Sequence, residues 1–257
     1  MTRSHSCDCS DHRSYIGHET RKLFVNFVLD ETGSMSGVLH ATINGFNEYV
    51  NQLRRNHATR GALLTLTKFN SIRTEVVCAA ALLSDAPRLN ADTYRPDGMT
   101  PLYDAVARAI NEAEHVLSQH LDGRHDVLFV IQTDGQENDS RVYTWKSIKA
   151  LIERKRTEGW TFVFLGANQD AWNAERWGIP RAGTVSYDHT PRGTIHAFAV
   201  AANHTMVYAA TGNLAATTAN GLDIRGENND GAITARQGTG TNKTGDDGDV
   251  PGTTGQA

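Results

Sequence analysis

Three short stretches of the 257-residue chain hold side chains whose types and spacing can do chemistry: Asp30-Glu31-Thr32-Gly33-Ser34-Met35-Ser36, Gly98-Met99-Thr100-Pro101 and Gln132-Thr133-Asp134-Gly135. They supply two aspartates and several hydroxyls, with neither His nor Cys among them. Zinc and copper are poorly served by such a set, whereas hard oxygen donors suit Mg²⁺, Ca²⁺ or Mn²⁺. Mg²⁺ takes six oxygens in near-octahedral geometry at about 2.0–2.1 Å and usually keeps some water. Two aspartates balance a divalent charge, and neutral hydroxyls fill further positions without adding to it. A cation held this way stays Lewis-acidic and open to a carboxylate from outside. The set reads as a docking site.

Whether the stretches meet depends on the elements that carry them. Leu23–Leu29, Val127–Ile131 and Trp160–Leu165 are near-continuous apolar runs, as expected of strands buried on both faces of a parallel sheet. Leu63–Phe69 reads as a fourth strand and Glu75–Leu83 as a weaker fifth. Leu39, Ile43, Phe46, Val50 and Leu53 recur at helical spacing within Val38–Leu53, as do Leu102, Val106, Ile110, Ala113 and Leu117 within Pro101–Leu121. Trp145, Ile148 and Ile152 mark a third helix, stopped at Glu158-Gly159. Asn168–Trp177 reads as a short fourth and Thr194–Tyr208 as a fifth. Strands alternating with helices mean βαβ units with right-handed crossovers. In open α/β sheets ligands bind beyond the carboxyl ends of the strands, where strand order reverses. Asp30 and Asp134 each follow a buried run, which makes them expected neighbours.

These residues also carry a family resemblance. Asp30-Glu31-Thr32-Gly33-Ser34 resembles the D-x-S/T-x-S signature of von Willebrand factor type A (vWA) domains. Thr100 in Gly98-Met99-Thr100-Pro101-Leu102-Tyr103-Asp104-Ala105 resembles the second motif, and Asp134 in Thr133-Asp134-Gly135 the third. Together such motifs form the family's metal-ion-dependent adhesion site. Gly45-Phe46-Asn47, Thr133-Asp134-Gly135-Gln136-Glu137-Asn138 and Phe164-Leu165-Gly166-Ala167-Asn168-Gln169-Asp170 are similar to stretches of stand-alone type A proteins of bacteria and their phages. The resemblance covers roughly residues 22–210. It implies an α/β, Rossmann-like fold: a mostly parallel central sheet with one antiparallel edge strand and helices on both faces. It further implies a divalent cation (Mg²⁺, or Mn²⁺ or Ca²⁺) held directly by Ser34 and Thr32, and directly or through water by Asp30, Thr100 and Asp134. Thr32 stands where many members have Ser, which preserves the oxygen donor.

Composition narrows the classes. Twenty-five Lys+Arg against 29 Asp+Glu leave a net charge of −4 and no basic stripe for nucleic acid. The longest apolar run, Val76–Leu83, is far short of the ~18 residues that span a bilayer. The opening MTRSHSCDCSDH has no apolar core of a secretory signal, so the expected location is the bacterial cytoplasm or a phage particle. Three cysteines exclude a disulfide scaffold and fit a reducing compartment. Residues 1–19 read as a polar arm, 20–211 as the type A domain, and 212–257 as a Gly/Thr-rich flexible tail. Within the tail, Leu222, Ile224, Ala232 and Ile233 offer material for a short docking hairpin, while its Asp/Gly clusters lack the spacing of an EF-hand. His5, Cys7, Cys9 and His12 meet the ligand count for zinc, but Cys-x-Cys is tighter than the usual spacing and no second pair follows.

Plainer roles stand beside the chemical ones. Thr100-Pro101 is also a helix-capping pattern, and Ser34 and Ser36 precede a helix. Asp30 and Asp134 can simply accept backbone donors at loop starts. Glu31, Asp97, Glu137 and Asp139 read as solvated loop charges, Trp145, Trp160, Trp172 and Trp177 as core, and Cys78 as a small core residue. The reading these features favour is a non-enzymatic, metal-dependent protein-binding module, whose cation is completed by a partner's Asp or Glu. The rival is a structural or assembly subunit, for example of a phage particle, with the fold as scaffold. A metal-dependent phosphoesterase is less well supported: Thr32 stands where a haloacid-dehalogenase-type site needs a second Asp, no GxxxxGK[ST] loop occurs, and no His lies near the motifs as a base. Nothing in the sequence sets the oligomeric state.

Overall fold

The computed structural model describes residues 22–119, 121, 124–167 and 176–215. The N-terminal arm with its His/Cys cluster, residues 168–175 of the expected fourth helix with Trp172, and the tail from 216 onward, with its hairpin and Asp/Gly clusters, lie outside the described residues.

In chain order the elements are β1 (Lys22–Asp30), a 3-10 turn (Gly33–Val38), α1 (Leu39–Arg55), β2 (Leu63–Phe69), β3 (Thr74–Leu82), α2 (Leu102–Gln119), β4 (His125–Thr133), α3 (Trp145–Thr157), β5 (Thr161–Ala167), β6 (Thr184–Tyr187) and α4 (Pro191–Thr211). The six strands form one sheet in the order β3-β2-β1-β4-β5-β6. Only the β2–β3 pair is antiparallel, so β3 is the expected antiparallel edge strand.

The continuous apolar runs are explained by cover on both faces. Phe24 and Val28 of β1 join Leu102, Val106 and Ile110 of α2, Ile148 and Ile152 of α3, and Phe129, Phe162 and Phe164 in one core. On the opposite face, the ring of Phe27 meets Phe46 at 5.4 Å and Tyr49 at 5.1 Å on α1, and Phe198 at 5.8 Å on α4. Gly45 makes this packing possible, because a Cβ there would fall 2.4 Å from Phe198 Cδ2. The next residue but one, Asn47, accepts from Leu89 N and donates to Leu89 O, both at 2.9 Å, and so ties the segment before α2 to α1. The stretch Gly45-Phe46-Asn47 is thus a packing device.

The weaker run is the edge. Val76 and Leu82 are exposed, Cys78 is only half-buried, and β2 and β3 shift register between Leu64 and Thr67. Strand β6 escaped the sequence reading because it is four residues long and buries only Val185 and Tyr187. Helix α4 starts three residues earlier than expected, at Pro191, where the Thr190 side chain accepts from Gly193 N.

Candidate metal centre

Strands β1 and β4 lie side by side, with Leu29 opposite Gln132, so their carboxyl ends deliver Asp30, Thr133 and Asp134 to one place. Here strand order reverses, since the chain runs from β1 to β2 on one side and later returns to β4 on the other. Asp30 is fully buried. Its Oδ1 accepts from Thr32 N at 2.8 Å and its Oδ2 from the Thr133 hydroxyl at 2.5 Å. Thr32 Oγ1 lies 3.1 Å from Ser34 Oγ, and the Ser34 hydroxyl donates to Asp134 Oδ1 at 2.7 Å. Thr100 closes the group: a Cβ on Gly135 would stand 3.2 Å from Thr100 Oγ1 and 3.6 Å from Ser34 Oγ. All five residues expected from the motifs are therefore gathered at one strand-end cluster.

The capping alternatives do not hold. Pro101 O receives the first helical bond of α2, from Ala105 N at 3.0 Å. The next N–H groups are capped from another loop, Tyr103 N by Glu137 Oε2 at 3.0 Å and Asp104 N by Ser140 Oγ at 3.1 Å. In return the Asp104 carboxylate accepts from Arg141 N at 2.8 Å and Tyr143 N at 2.7 Å. Glu137 is therefore a cap rather than a solvated charge. Thr100 is fixed by its backbone, with Asn138 Oδ1 accepting its N–H at 2.7 Å and Asn138 N donating to its carbonyl at 3.1 Å. Its hydroxyl makes no hydrogen bond with any described residue. Ser34 likewise spends its hydroxyl on Asp134 instead of a helix N–H.

Glu31 is a second correction. It is completely buried, with Lys68 Nζ at 3.0 Å and Arg73 at 3.4 Å, and it accepts from Arg95 N at 2.7 Å. Lys68 also donates to Thr93 O. The Glu31 backbone adds bonds to Phe69 O and from Asp97 N. Glu31 and Lys68 thereby clamp the segment leading to Thr100 against the sheet. Trp145 is a third correction, since it is exposed beside Arg176 and Lys146, whereas Trp177 is buried and Trp160 stacks on Phe129.

Burial sets the electrostatics. It pushes the Asp30 carboxyl up from 3.8 to about 7, against the lowering effect of the Thr133 and Thr32 hydrogen bonds and with a further push from Asp134. Asp134 is also raised, again chiefly by burial, while Ser34 and His189 pull it back. His189 contradicts the expectation that no histidine stands near the motifs: its Nε2 is 2.7 Å from Asp134 Oδ2. No motif names it, and its only sequence signal is a place just after a short strand. Thr133 was also unassigned, although it directly follows a buried run.

The residues fit a divalent cation. Adjacent ligands at about 2.1 Å from an octahedral cation are about 3 Å apart, and the Thr32–Ser34 and Ser34–Asp134 separations are 3.1 and 2.7 Å. Among the described residues no three His, Cys, Asp or Glu side chains converge as a ready metal group, so a cation here must use the hydroxyls.

Solved structures share the fold. The chain is similar to the pilus adhesin SpaC from Lactobacillus rhamnosus GG, with a TM-score of 0.56 and 11% identity over 73% of this chain and 30% of that one. It is similar to proximal thread matrix protein 1 from the mussel byssus, at 0.54 and 10% over 71% and 47%. Manganese-loaded TRAP of Plasmodium vivax matches at 0.50 and 16% over 73% and 74%. The chain thus spans less than half the length of the SpaC and byssus chains. Together with the strand order, these likenesses give a Rossmann-like vWA fold. No protein-family model matches the chain, and no curated protein matches it by sequence.

Proposed function

We propose that this chain is a metal-dependent protein-binding module. A divalent cation, Mg²⁺, Mn²⁺ or Ca²⁺, would be held by Asp30, Thr32, Ser34, Thr100 and Asp134, and a partner's Asp or Glu would complete it. The observation that carries this reading is the convergence of those oxygens from three separate segments, with the Thr100 hydroxyl beside Gly135 making no hydrogen bond to any described residue. A bound cation supplies Lewis acidity toward an incoming carboxylate. Asp30 and Asp134 balance its charge, so the carboxylate meets a near-neutral site. The manganese-loaded Plasmodium vivax protein of the same fold supports the metal assignment. Ile72 and Met99, exposed next to the segment bearing Thr100, supply an apolar flank for a partner.

The reading is non-enzymatic. Ser34 donates to Asp134 and His189 touches the far oxygen of that carboxylate, so among the described residues no imidazole sits on the hydroxyl to activate it. The place of action in this reading is the bacterial cytoplasm or a phage particle. Among the described residues no helix is long and apolar enough to cross a membrane.

Capture of partners from the source organism with and without EDTA tests the proposal. Neutralising the partner's critical acid, Asp→Asn or Glu→Gln, should cost about 2–5 kcal/mol, roughly 30- to several-thousand-fold in affinity. A partner that binds equally well in EDTA, or after every candidate acid is neutralised, refutes it and favours the scaffold role.

A further inference from the structure

Two contacts hold the Asp134 carboxylate, one on each oxygen. Oδ1 accepts from the Ser34 hydroxyl at 2.7 Å, and on the side away from Ser34 His189 Nε2 stands 2.7 Å from Oδ2. The second contact comes from the loop between β6 and α4, two strands away in the sheet order β4-β5-β6. A carboxylate turns about a broad, two-fold torsion. One contact leaves it free to rotate, and two fix its plane.

The loop that brings His189 is itself tied to β4. Gln132, Leu165 and Val185 lie in register across β4, β5 and β6. Two residues on, Ala167 and Tyr187 pair and face the same side of the sheet, so Tyr187 has only a methyl group to cross on its way over β5. Its hydroxyl accepts from Gln132 Nε2 at 2.6 Å and donates to Thr133 O at 3.2 Å. Beyond Tyr187 the turn closes tightly. Thr190 N donates to Asp188 O at 2.7 Å, and a Cβ on Gly193 would fall 2.2 Å from that same oxygen. The Thr190 side chain then accepts from Gly193 N at 3.0 Å and starts α4. His189 therefore sits between an anchored tyrosine and a capped helix.

We infer that His189 is a positioning residue of the metal centre, holding Asp134 Oδ2 so that Oδ1 keeps its place beside Ser34. This rests on the metal-binding reading above and deepens it. The imidazole acts through the carboxylate and adds no donor, so the position for a partner's Asp or Glu stays open. A contact that works this way supports every cation using Asp134 alike, Mg²⁺ as much as Mn²⁺. Outer contacts to metal-binding side chains are typically worth about 10–100-fold in metal affinity.

The test compares His189→Asn with His189→Gln in the full chain, each titrated by calorimetry with Mg²⁺ and with Mn²⁺. Both variants keep an amide, but only the longer Gln carries its nitrogen to where Nε2 stands. His189→Asn should lower the affinity for both cations about tenfold or more, and His189→Gln should recover most of that loss. Tyr187→Phe keeps His189 and Asp134 but releases the loop from Gln132 and Thr133, and should weaken both cations by a smaller factor; it decides the matter if a His189 variant folds poorly. A merely structural role would shift the unfolding midpoint in EDTA and leave the affinities unchanged, and that result overturns the inference. So does a Gln variant no better than Asn. A loss confined to Mn²⁺ marks direct ligation and overturns it as well. Cation binding that survives both Asp30→Ala and Asp134→Ala overturns the metal centre itself, and this inference with it.

Discussion

Asp30 is the residue at which the metal reading and the energetics of the fold can be measured together. Its carboxyl is fully buried and raised from 3.8 to about 7. Below pH 3.8 the group is protonated whether the chain is folded or not, and it contributes no difference. Between that value and about 7 the folded protein holds a proton that the unfolded chain has lost, so stability falls as pH rises. Above pH 7 the full cost is present. Each pH unit between the two values is worth about 1.4 kcal/mol, which sets a ceiling of about 4 kcal/mol on the destabilisation caused by ionised Asp30. Asp30→Asn removes that cost and keeps the shape. The amide oxygen still accepts from Thr32 N, and the Thr133 hydroxyl turns to accept from the amide, an exchange worth about 1 kcal/mol. In EDTA, urea denaturation should therefore find Asp30→Asn more stable than wild type by up to about 4 kcal/mol at pH 8, with the gain shrinking toward zero near pH 4. Taking the difference between the two proteins cancels His204, whose burial lowers its pKa and makes stability fall as pH drops, the opposite sense. Adding Mg²⁺ or Mn²⁺ at about 100 times its dissociation constant should stabilise wild type by about 2.7 kcal/mol and leave the variant unmoved. A variant less stable than wild type at pH 8 in EDTA, or one that still gains from the metal, refutes the reasoning.

Three further outcomes are expected. Lys68→Met leaves Glu31 buried with only the longer Arg73 contact as an ion pair, and should cost about 3–5 kcal/mol in chemical denaturation, most of it recovered in Glu31→Gln/Lys68→Met. Gly135→Ala places a methyl group 3.2 Å from Thr100 Oγ1, so calorimetry should show weakened metal binding while the unfolding midpoint in EDTA stays close to wild type. A chain cut to residues 20–215, which retains Leu214 packed by Gly183, should unfold cooperatively in a melt followed by circular dichroism; an insoluble or non-cooperative product would place core residues in the ends.

Much of this was legible in the sequence for definable reasons. The runs Leu23–Leu29 and Leu63–Phe69 announced β1 and β2 because helices cover both faces, leaving no polar alternation to blur them. That Asp30, Thr32, Ser34, Thr100 and Asp134 would lie close together was legible because they follow buried runs or precede helices. Residues that act across the fold were not. Glu31 looked solvated because its partner is remote in sequence, although Lys68 in a buried strand was itself a signal that some carboxylate must come to meet it. Glu137 caps a helix 34 positions back, a relation no local capping pattern encodes. His189 depends on β6, which was too short to be seen, so the loop that delivers it had no known position.

The neighbouring carboxylates Asp30 and Glu31 show how one dipeptide is divided between structure and chemistry. Successive residues of a strand face opposite sides of the sheet. Leu29 pairs with Lys68 in register, and Glu31, two residues on, reaches the same lysine at 3.0 Å. Asp30 takes the other side, where Thr133 meets it. Glu31 is therefore neutralised by Lys68 and Arg73 and brings little net charge toward the centre, while its bonds hold the segment before Thr100 in place. Among the described residues Asp30 receives only neutral donors, Thr32 N and the Thr133 hydroxyl, and keeps a charge that burial makes costly. A salt bridge to Asp30 would have stabilised the apo protein and cancelled the charge a cation needs. The fold instead assigns its cations to Glu31, and Asp30 retains an electrostatic cost that a divalent ion, as proposed, would relieve.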